Sequence, residues 1–409
     1  MATVEGDFIV PFARRGSIVG TDELTMITDL VQSGDVLSAG GLRDQFEARF
    51  AKHVGSRYAL SVTSGTVALE LAIEMLDLAP GDEVIATPQT FQATLQPLLS
   101  HDIRVRFCDV DPVTLNLDPS LLRSLITDRT RAILLVHYGG YPADMDRIMA
   151  IARPRGITVL EDAAHALGTT YEGRRPGALA DMACFSFHST KNITTLGEGG
   201  MITLDRDDWA ERIDRRRNNE ADGIYVPDAA DPPFLLPWMK FSADIYRWTC
   251  TGVRKPGTNA TMAEAAAAVG LAQMDKLDAL VSRRRWIAAR LDAAISRFPG
   301  TRVQQVPPGI EHSYHLYTFF VDHGRDDLVR SLHARGVEVQ LRYFPQHLTP
   351  EWRWRGHTTG ECPVAERLWF NSHMNLPCHP GLSDAQVDHL VNAVEASLQD
   401  VRATRQRAS

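Results

Sequence analysis

The sequence predicts an α/β fold: a mostly parallel sheet with helices on both faces, followed by a smaller α+β domain. Three observations carry this. Short apolar runs alternate with helical patterns from residue 58 to 205, which is the signature of successive βαβ units. The loops rich in Ser, Gly and Thr each follow one of those runs, so they gather at the carboxyl ends of the strands, where open α/β sheets place their ligands. After Gly300 the pattern turns to alternating strand-like stretches around a short helix. At 409 residues the chain is also too long for one small core, and two packed domains follow.

Residues 21–33 and 42–53 read as helices, the second with Leu42, Phe46 and Phe50 at helical spacing. Tyr58–Val62 is a short buried strand running into Thr63-Ser64-Gly65-Thr66, where the pattern switches to a helix carrying Ala68, Leu71, Ala72 and Met75. Such a turn sets free backbone N–H groups and two hydroxyls at the positive end of a helix, an anion site. Plain capping by Ser64 or Thr66 is the other reading. Val84–Ala86 is the next strand, and Phe91 beyond it is either a ring that stacks on a flat ligand or ordinary core.

Arg104–Cys108 and Ala132–Val136 are strands separated by a helix near Pro119–Ile126, and the helix Met145–Ala152 leads back to the strand Ile157–Leu160. That strand ends in Glu161-Asp162-Ala-Ala-His165. A carboxylate at so buried a place needs a cationic or donor partner. The stretch Cys184-Phe-Ser186-Phe-His-Ser-Thr-Lys191 leaves the sheet as another strand, and Gly197-Glu-Gly-Gly200 opens the next, Met201–Leu204. Lysine is the side chain that forms a Schiff base with a carbonyl cofactor such as pyridoxal phosphate (PLP). Read from this stretch alone, Lys191 is a solvated loop residue.

Residues 219–256 lack clean periodicity but carry aromatics, with one short helix near Ala243–Thr251. An alanine-rich helix follows Gly257–Met262, and a second helical stretch runs through Leu280–Ile295. Tyr314–Val321 and Val337–Arg342 are strand-like, Leu328–Ala334 is a helix between them, and Asp384–Leu398 closes the fold. The expected division is a large domain over 1–260 with an atypical excursion at 219–256, linking and interface helices over 261–298, and a small domain over 299–409.

Composition excludes several function classes. Lys and Arg number 43 against 51 Asp and Glu, a net charge of −8 that argues against a nucleic-acid surface. The triplets Arg215–Arg217 and Arg283–Arg285 read as solvated helix faces. Five scattered cysteines with no Cys-x-x-Cys pair fit neither a zinc site nor a disulfide framework, and suit a reducing compartment. The histidines show no His-Glu-x-x-His pattern, so no metal is expected. The first residues lack a basic region followed by an apolar core, and no apolar run approaches the roughly 20 residues that span a bilayer. A cytoplasmic protein without membrane contact is expected.

Taken in order, Ser64–Leu69, Thr90–Thr94, Glu161–His165, Ser186–Lys191, Gly197–Gly200 and Gly257–Met262 resemble the motifs of the DegT/DnrJ/EryC1/StrS family. These are fold-type-I, aspartate aminotransferase-like PLP enzymes, mostly sugar aminotransferases. Ala265–Gln273 resembles the family's interface helix, and Tyr343–His347 and Pro363–Glu366 its C-terminal motifs. The resemblance runs from about Pro11 to about Leu398, apart from 219–256.

The resemblance implies a role for each residue. Lys191 would hold PLP and later shuttle the proton, and Asp162 would pair with the pyridinium nitrogen. Ser64, Gly65, Thr66 and Ser186 would bind the phosphate, and Phe91 would cover one face of the ring. His165, where many members carry Gln, would offer an N–H to the phenolic oxygen. Since free histidine titrates near neutrality, a different pH dependence is expected. Asn259 would reach the phosphate of the neighbouring subunit, because the family builds each site across a homodimer interface.

The implied reaction moves an amino group from an amino acid, glutamate or glutamine, to a keto-sugar or related cyclic ketone. It would serve amino-sugar, secondary-metabolite or surface-polysaccharide biosynthesis. Lys191 separates the chain from the family's histidine-bearing sugar dehydratases. Two alternatives stand: a lyase resembling aminohydroxybenzoate synthase, which keeps the lysine, and a non-catalytic PLP-binding regulatory protein. Arg342, Tyr343, His315 and His347 are candidates for lining the substrate site or for structural roles, and 219–256 is expected to shape the choice of acceptor.

Overall fold

The computed structural model describes residues 8–38, 40–219, 221–224, 251–253 and 257–408. Its centre is a seven-stranded sheet made of Tyr58–Val62 (β1), Glu83–Ala86 (β2), Arg104–Phe107 (β3), Thr130–Val136 (β4) and Thr158–Asp162 (β5), then, past the two-residue strand Thr170–Tyr171 (β6), Met182–Ser186 (β7) and Gly200–Leu204 (β8). The order is β1-β8-β7-β5-β4-β2-β3. Pairing is parallel from β7 through β5, β4 and β2 to β3, and β8 runs antiparallel to both neighbours.

The antiparallel strand matters for the site. Gly200, the first residue of β8, pairs with Val62 on one side and Ser186 on the other. The carboxyl ends of β1 and β7 therefore meet across one glycine, which brings the Ser64 turn beside Ser186.

Successive strand residues face opposite sides, and both sides are covered. Val84, Leu134, Leu160 and Cys184 pack into one apolar cluster, while Ile133, Leu135 and Val159 pack into another on the reverse face. Near-continuous apolar strands are what burial on both faces requires. A second, smaller sheet has the order β11-β13-β14, from Thr301–Val303 (β11), Tyr317–Val321 (β13) and His373–Leu376 (β14). Between the first two, Ile310–Glu311 (β12) pairs back to β6. A separate core forms on the small sheet, where Phe319, Val321, Leu332, Met374 and Leu390 pack with Val10.

Three features differ from the sequence reading, and a fourth falls largely outside the described residues. The helical stretches around the alanine-rich segment form one helix, Glu264–Ile295, because no proline interrupts it and Gly270 is needed where the Phe46 ring presses on it. Val337–Arg342 is an extended segment held by single bridges, Val10 to Val337 and Gln340 to Asn375, and not a strand. The excursion at 219–256 and its helix near Ala243–Thr251 lie largely outside the described residues, within which Ala221–Ile224 (β9) pairs with Thr251–Val253 (β10).

The arginine triplets are not solvated faces. Arg217 is 3% exposed and bound by Glu47, Asp214 and the Ser61 carbonyl, while Arg284 is 1% exposed. Each is buried because a ring of acceptors replaces its water.

Candidate active site

A cavity of about 720 Å³ opens at the carboxyl ends of the parallel strands, a size that suits a small organic ligand. Every residue given a cofactor role from the sequence lines it except Asn259, and of the substrate-site candidates Arg342 and Tyr343 do while His315 and His347 do not.

Ser64 caps the helix Gly65–Glu74: its hydroxyl accepts from the Val67 N–H at 3.2 Å, and its carbonyl takes the Ala68 N–H at 3.0 Å. The N–H groups of Gly65 and Thr66 have no partner among the described residues. Capping and anion binding are thus compatible uses of one turn, since a cap satisfies only part of a helix start. Glycine at 65 is a steric requirement. A Cβ there would lie 2.7 Å from the Cβ of Ser186, so its absence lets β7 end against the turn.

Asp162 is the last residue of β5 and 6% exposed. Its Oδ2 accepts from the Thr94 hydroxyl at 2.6 Å and its Oδ1 from the Ala164 N–H at 3.0 Å. Glu161, one residue earlier, faces the opposite way. It is fully buried and held by His137 at 2.8 Å and by the N–H groups of Gly177, Leu179 and Ala180. Of the two acids, the protein uses up Glu161 and leaves Asp162 at the cavity.

Lys191 stands in the loop between β7 and β8, on the wall of the same cavity. Burial pushes its ammonium down to about 8; Asp162 opposes that shift and Arg342 adds to it. A lysine so placed is largely neutral in mildly alkaline solution, which a solvated loop lysine is not. Behind it, Gly16 presses on the loop. Its N–H donates to the Ser189 carbonyl at 2.8 Å, and any Cβ would collide with the carbonyl oxygens of Thr190 and Lys191.

His165 stacks on His315, with centroids 4.2 Å apart and planes 22° apart, and its Nε2 lies 3.3 Å from the Tyr343 hydroxyl. Its Nδ1 is buried without a partner. Burial first, then the charges of Lys191 and Arg342, hold its pKa well below the usual 6.5. The expected titration near neutrality is therefore corrected: His165 stays neutral. Phe91 is 49% exposed and leans on Tyr343 at 5.7 Å.

Asn259 is exposed on its own chain and bridges Asn218 through the backbone, away from this cavity. Arg342 and Tyr343 line the cavity, whereas His347 is buried against Glu366 at 2.9 Å and is structural. The sequence reading missed the role of Thr94. Its signal was available: Thr90 and Thr94 flank the start of the short helix Gln92–Leu95, and their hydroxyls meet at 2.6 Å.

Among the described residues no group of three or more His, Cys, Asp or Glu could hold a metal, and four cysteines are free and buried. No described helix is long and apolar enough to cross a membrane.

Comparison with known proteins agrees with this geometry. The spore coat polysaccharide biosynthesis protein SpsC of Bacillus subtilis is 36% identical over 384 residues, 92% of this chain and 94% of that one. The GDP-perosamine synthase of Caulobacter vibrioides is 32% identical over 92% of this chain and 95% of its own. Among solved structures, the aminotransferase TlmJ from Streptoalloteichus hindustanus superposes with a TM-score of 0.84 at 31% identity, covering 96% of this chain and all of that one. Spr1654 from Streptococcus pneumoniae, described as a sugar aminotransferase in its PMP form, gives 0.84 at 25% identity over 96% of this chain and 100% of that one. The model of the DegT/DnrJ/EryC1/StrS aminotransferase family matches residues 18–395. The protein is an aminotransferase of fold type I, and it belongs to the DegT/DnrJ/EryC1/StrS family.

Proposed function

We propose that the cavity binds PLP on Lys191 and transfers an amino group from an amino acid, glutamate or glutamine, to a keto-sugar or related cyclic ketone. The observation that carries this is the joint presence of Lys191, Asp162 and the Ser64–Thr66 helix start on one cavity.

The residues fit the cofactor on several counts. Gly65 lets Ser186 close on the helix start, so that two N–H groups and the hydroxyls of Thr66 and Ser186 lie together on the cavity, which suits a phosphate. Asp162 keeps acceptor capacity beyond its two donors, as a protonated ring nitrogen requires. His165 has an orphaned buried nitrogen for a polar substituent. When bound, PLP supplies an electrophilic carbon and a ring that takes up the electron pair left by a broken C–H bond.

The chain's own residues do the rest. Lys191, its ammonium lowered to about 8 by burial, is the base that takes the proton from the donor α-carbon and would deliver it to the cofactor carbon that receives the amino group. Thr94 and the Ala164 N–H fix the Asp162 carboxylate in one orientation. Phe91 and Tyr343 form an aromatic rim that limits water at the reacting carbon. Asn259, exposed on its own chain, is available to complete the phosphate site of a second subunit in a homodimer. A keto-sugar acceptor, giving an amino sugar as product, is supported by the family and by a relative named for GDP-perosamine.

The test is Lys191→Ala in the full chain. It should lose the visible absorbance of the lysine-bound cofactor and all exchange between glutamate and 2-oxoglutarate. A variant with normal turnover would end the proposal.

A further inference from the structure

We propose that the protein binds a monatomic anion, of which chloride is the common one, in a small cleft beside the Lys191 loop. The Nε–H of Arg284 and the ring N–H of His315 hold it. The proposal does not depend on what the active-site cavity carries.

Arg284 lies within the helix Glu264–Ile295, 1% exposed, and has no acid partner among the described residues. Its Nη1 donates to the carbonyls of Tyr314 and Cys378 and its Nη2 to that of Gly16 at 2.6 Å, while its Nε is buried without a partner. Carbonyl dipoles replace part of the lost water but supply no net charge, and a buried cation without a counterion is costly.

Arg217 shows the usual solution. It is equally buried and carries two acids, Glu47 and Asp214, at 2.6 Å each. Burial opposes its charge, yet those acids hold its pKa above the ordinary value. Around Arg284 burial prevails, and the pKa falls from 12.5 to about 10. Cys378 opposes that fall but brings no charge. Burial pushes its thiol up to about 12, and the thiol donates to the Arg284 carbonyl at 3.4 Å.

The cleft beside Arg284 has a volume of about 20 Å³, with Arg342, His315, His379 and Thr190 on its walls and no Asp or Glu. Thr190 and Arg342 also belong to the active-site cavity, so the two spaces adjoin. His315 is buried with both ring nitrogens unpartnered. Burial first, then His165, Lys191, Arg284 and Arg342, keep its pKa well below 6.5, so it is neutral and its charged surroundings are all basic. A neutral imidazole still offers one N–H. His379 is no ligand, because its Nε2–H donates to the Pro11 carbonyl at 3.1 Å and leaves Nδ1 a bare lone pair. Since one water needs roughly 10–15 Å³, a single monatomic ion fits this cleft and a tetrahedral sulfate does not. An anion there takes a charge-assisted hydrogen bond from Arg284 and offsets the charge that the chain leaves unpaired.

Melting of the full-length protein, with and without PLP, is followed as chloride replaces gluconate at constant ionic strength. Crystals grown in bromide are examined for its anomalous scattering. Chloride should raise the midpoint saturably, by about 3 °C at a hundredfold its dissociation constant. One bromide peak should lie within hydrogen-bond reach of Arg284 Nε. Arg284→Met and His315→Phe, which keep bulk and drop the donors, should each lose the chloride-dependent rise. If Arg284→Met does not fold, His315→Phe carries the comparison. Equal midpoints in the two salts, or water alone in the cleft, overturn the proposal. A bromide peak without the rise in midpoint marks an adventitious ion only and overturns it equally. A rise that survives in the variants belongs elsewhere on the protein and does the same.

Discussion

Thr94 and Asp162 are joined by a 2.6 Å hydrogen bond from hydroxyl to carboxylate at the end of β5. Thr94 is fully buried, and its hydroxyl also meets Thr90. A hydrogen bond to a charged group is worth about 1.5–3 kcal/mol. Thr94→Val keeps the shape and removes the bond, so PLP affinity should fall by roughly tenfold or more. Titration of the cofactor-free protein, followed by absorbance, measures this; unchanged affinity would mean that Asp162 needs no such support.

The Lys191 amine reacts only when neutral, and burial lowers its pKa from 10.5 to about 8. In the cofactor-free protein, acylation of Lys191 by a small reagent should therefore rise with pH through a midpoint near 8. Asp162 favours the ammonium form, so Asp162→Asn should move the midpoint lower still. Timed labelling with peptide mass spectrometry gives both values, and a midpoint near that of free lysine would contradict the burial.

His165 is held neutral, with a pKa well below 6.5. It should contribute no limb to the pH profile of kcat/KM between about pH 6 and 8. His165→Gln should alter the rate but leave the positions of the limbs unchanged. Loss of an acid limb in that variant would show that the imidazole does titrate there.

Gly16 tolerates no side chain, because a Cβ would strike the Thr190 and Lys191 carbonyls. Gly16→Ala should destabilise the protein by about 1–3 kcal/mol, the usual cost of overpacking. Thermal melting with and without PLP should show a lower midpoint in both states and weaker retention of the cofactor.

The parallel sheet was legible because strands buried on both faces read as apolar runs, and β4 and β5 fall where those runs predict. Most of the site was legible for a related reason: residues at strand ends share an edge once the strands are parallel. What the sequence could not show depends on contacts between distant segments. Nothing local marks Gly16 as the residue behind Lys191, 175 positions away in a chain of 409. Arg284 looked solvated because its neighbours are charged, yet it turns inward to the carbonyls of Gly16, Tyr314 and Cys378. The pKa of His165 likewise follows from burial under His315, which motif spacing does not encode.

The helix Glu264–Ile295 runs unbroken for 32 residues, about 48 Å of rod. Leu271, Met274 and Leu277 pack with the large sheet's core, while Ile287, Leu291 and Ile295 belong to the core of the small sheet. Neither core can slide along the other without bending that rod, which leaves rotation about it as the easier relative motion. Arg284 sits at the junction and grips the Gly16 carbonyl, while the Gly16 N–H holds the Ser189 carbonyl, so the junction, the N-terminal segment and the loop of Lys191 are tied together.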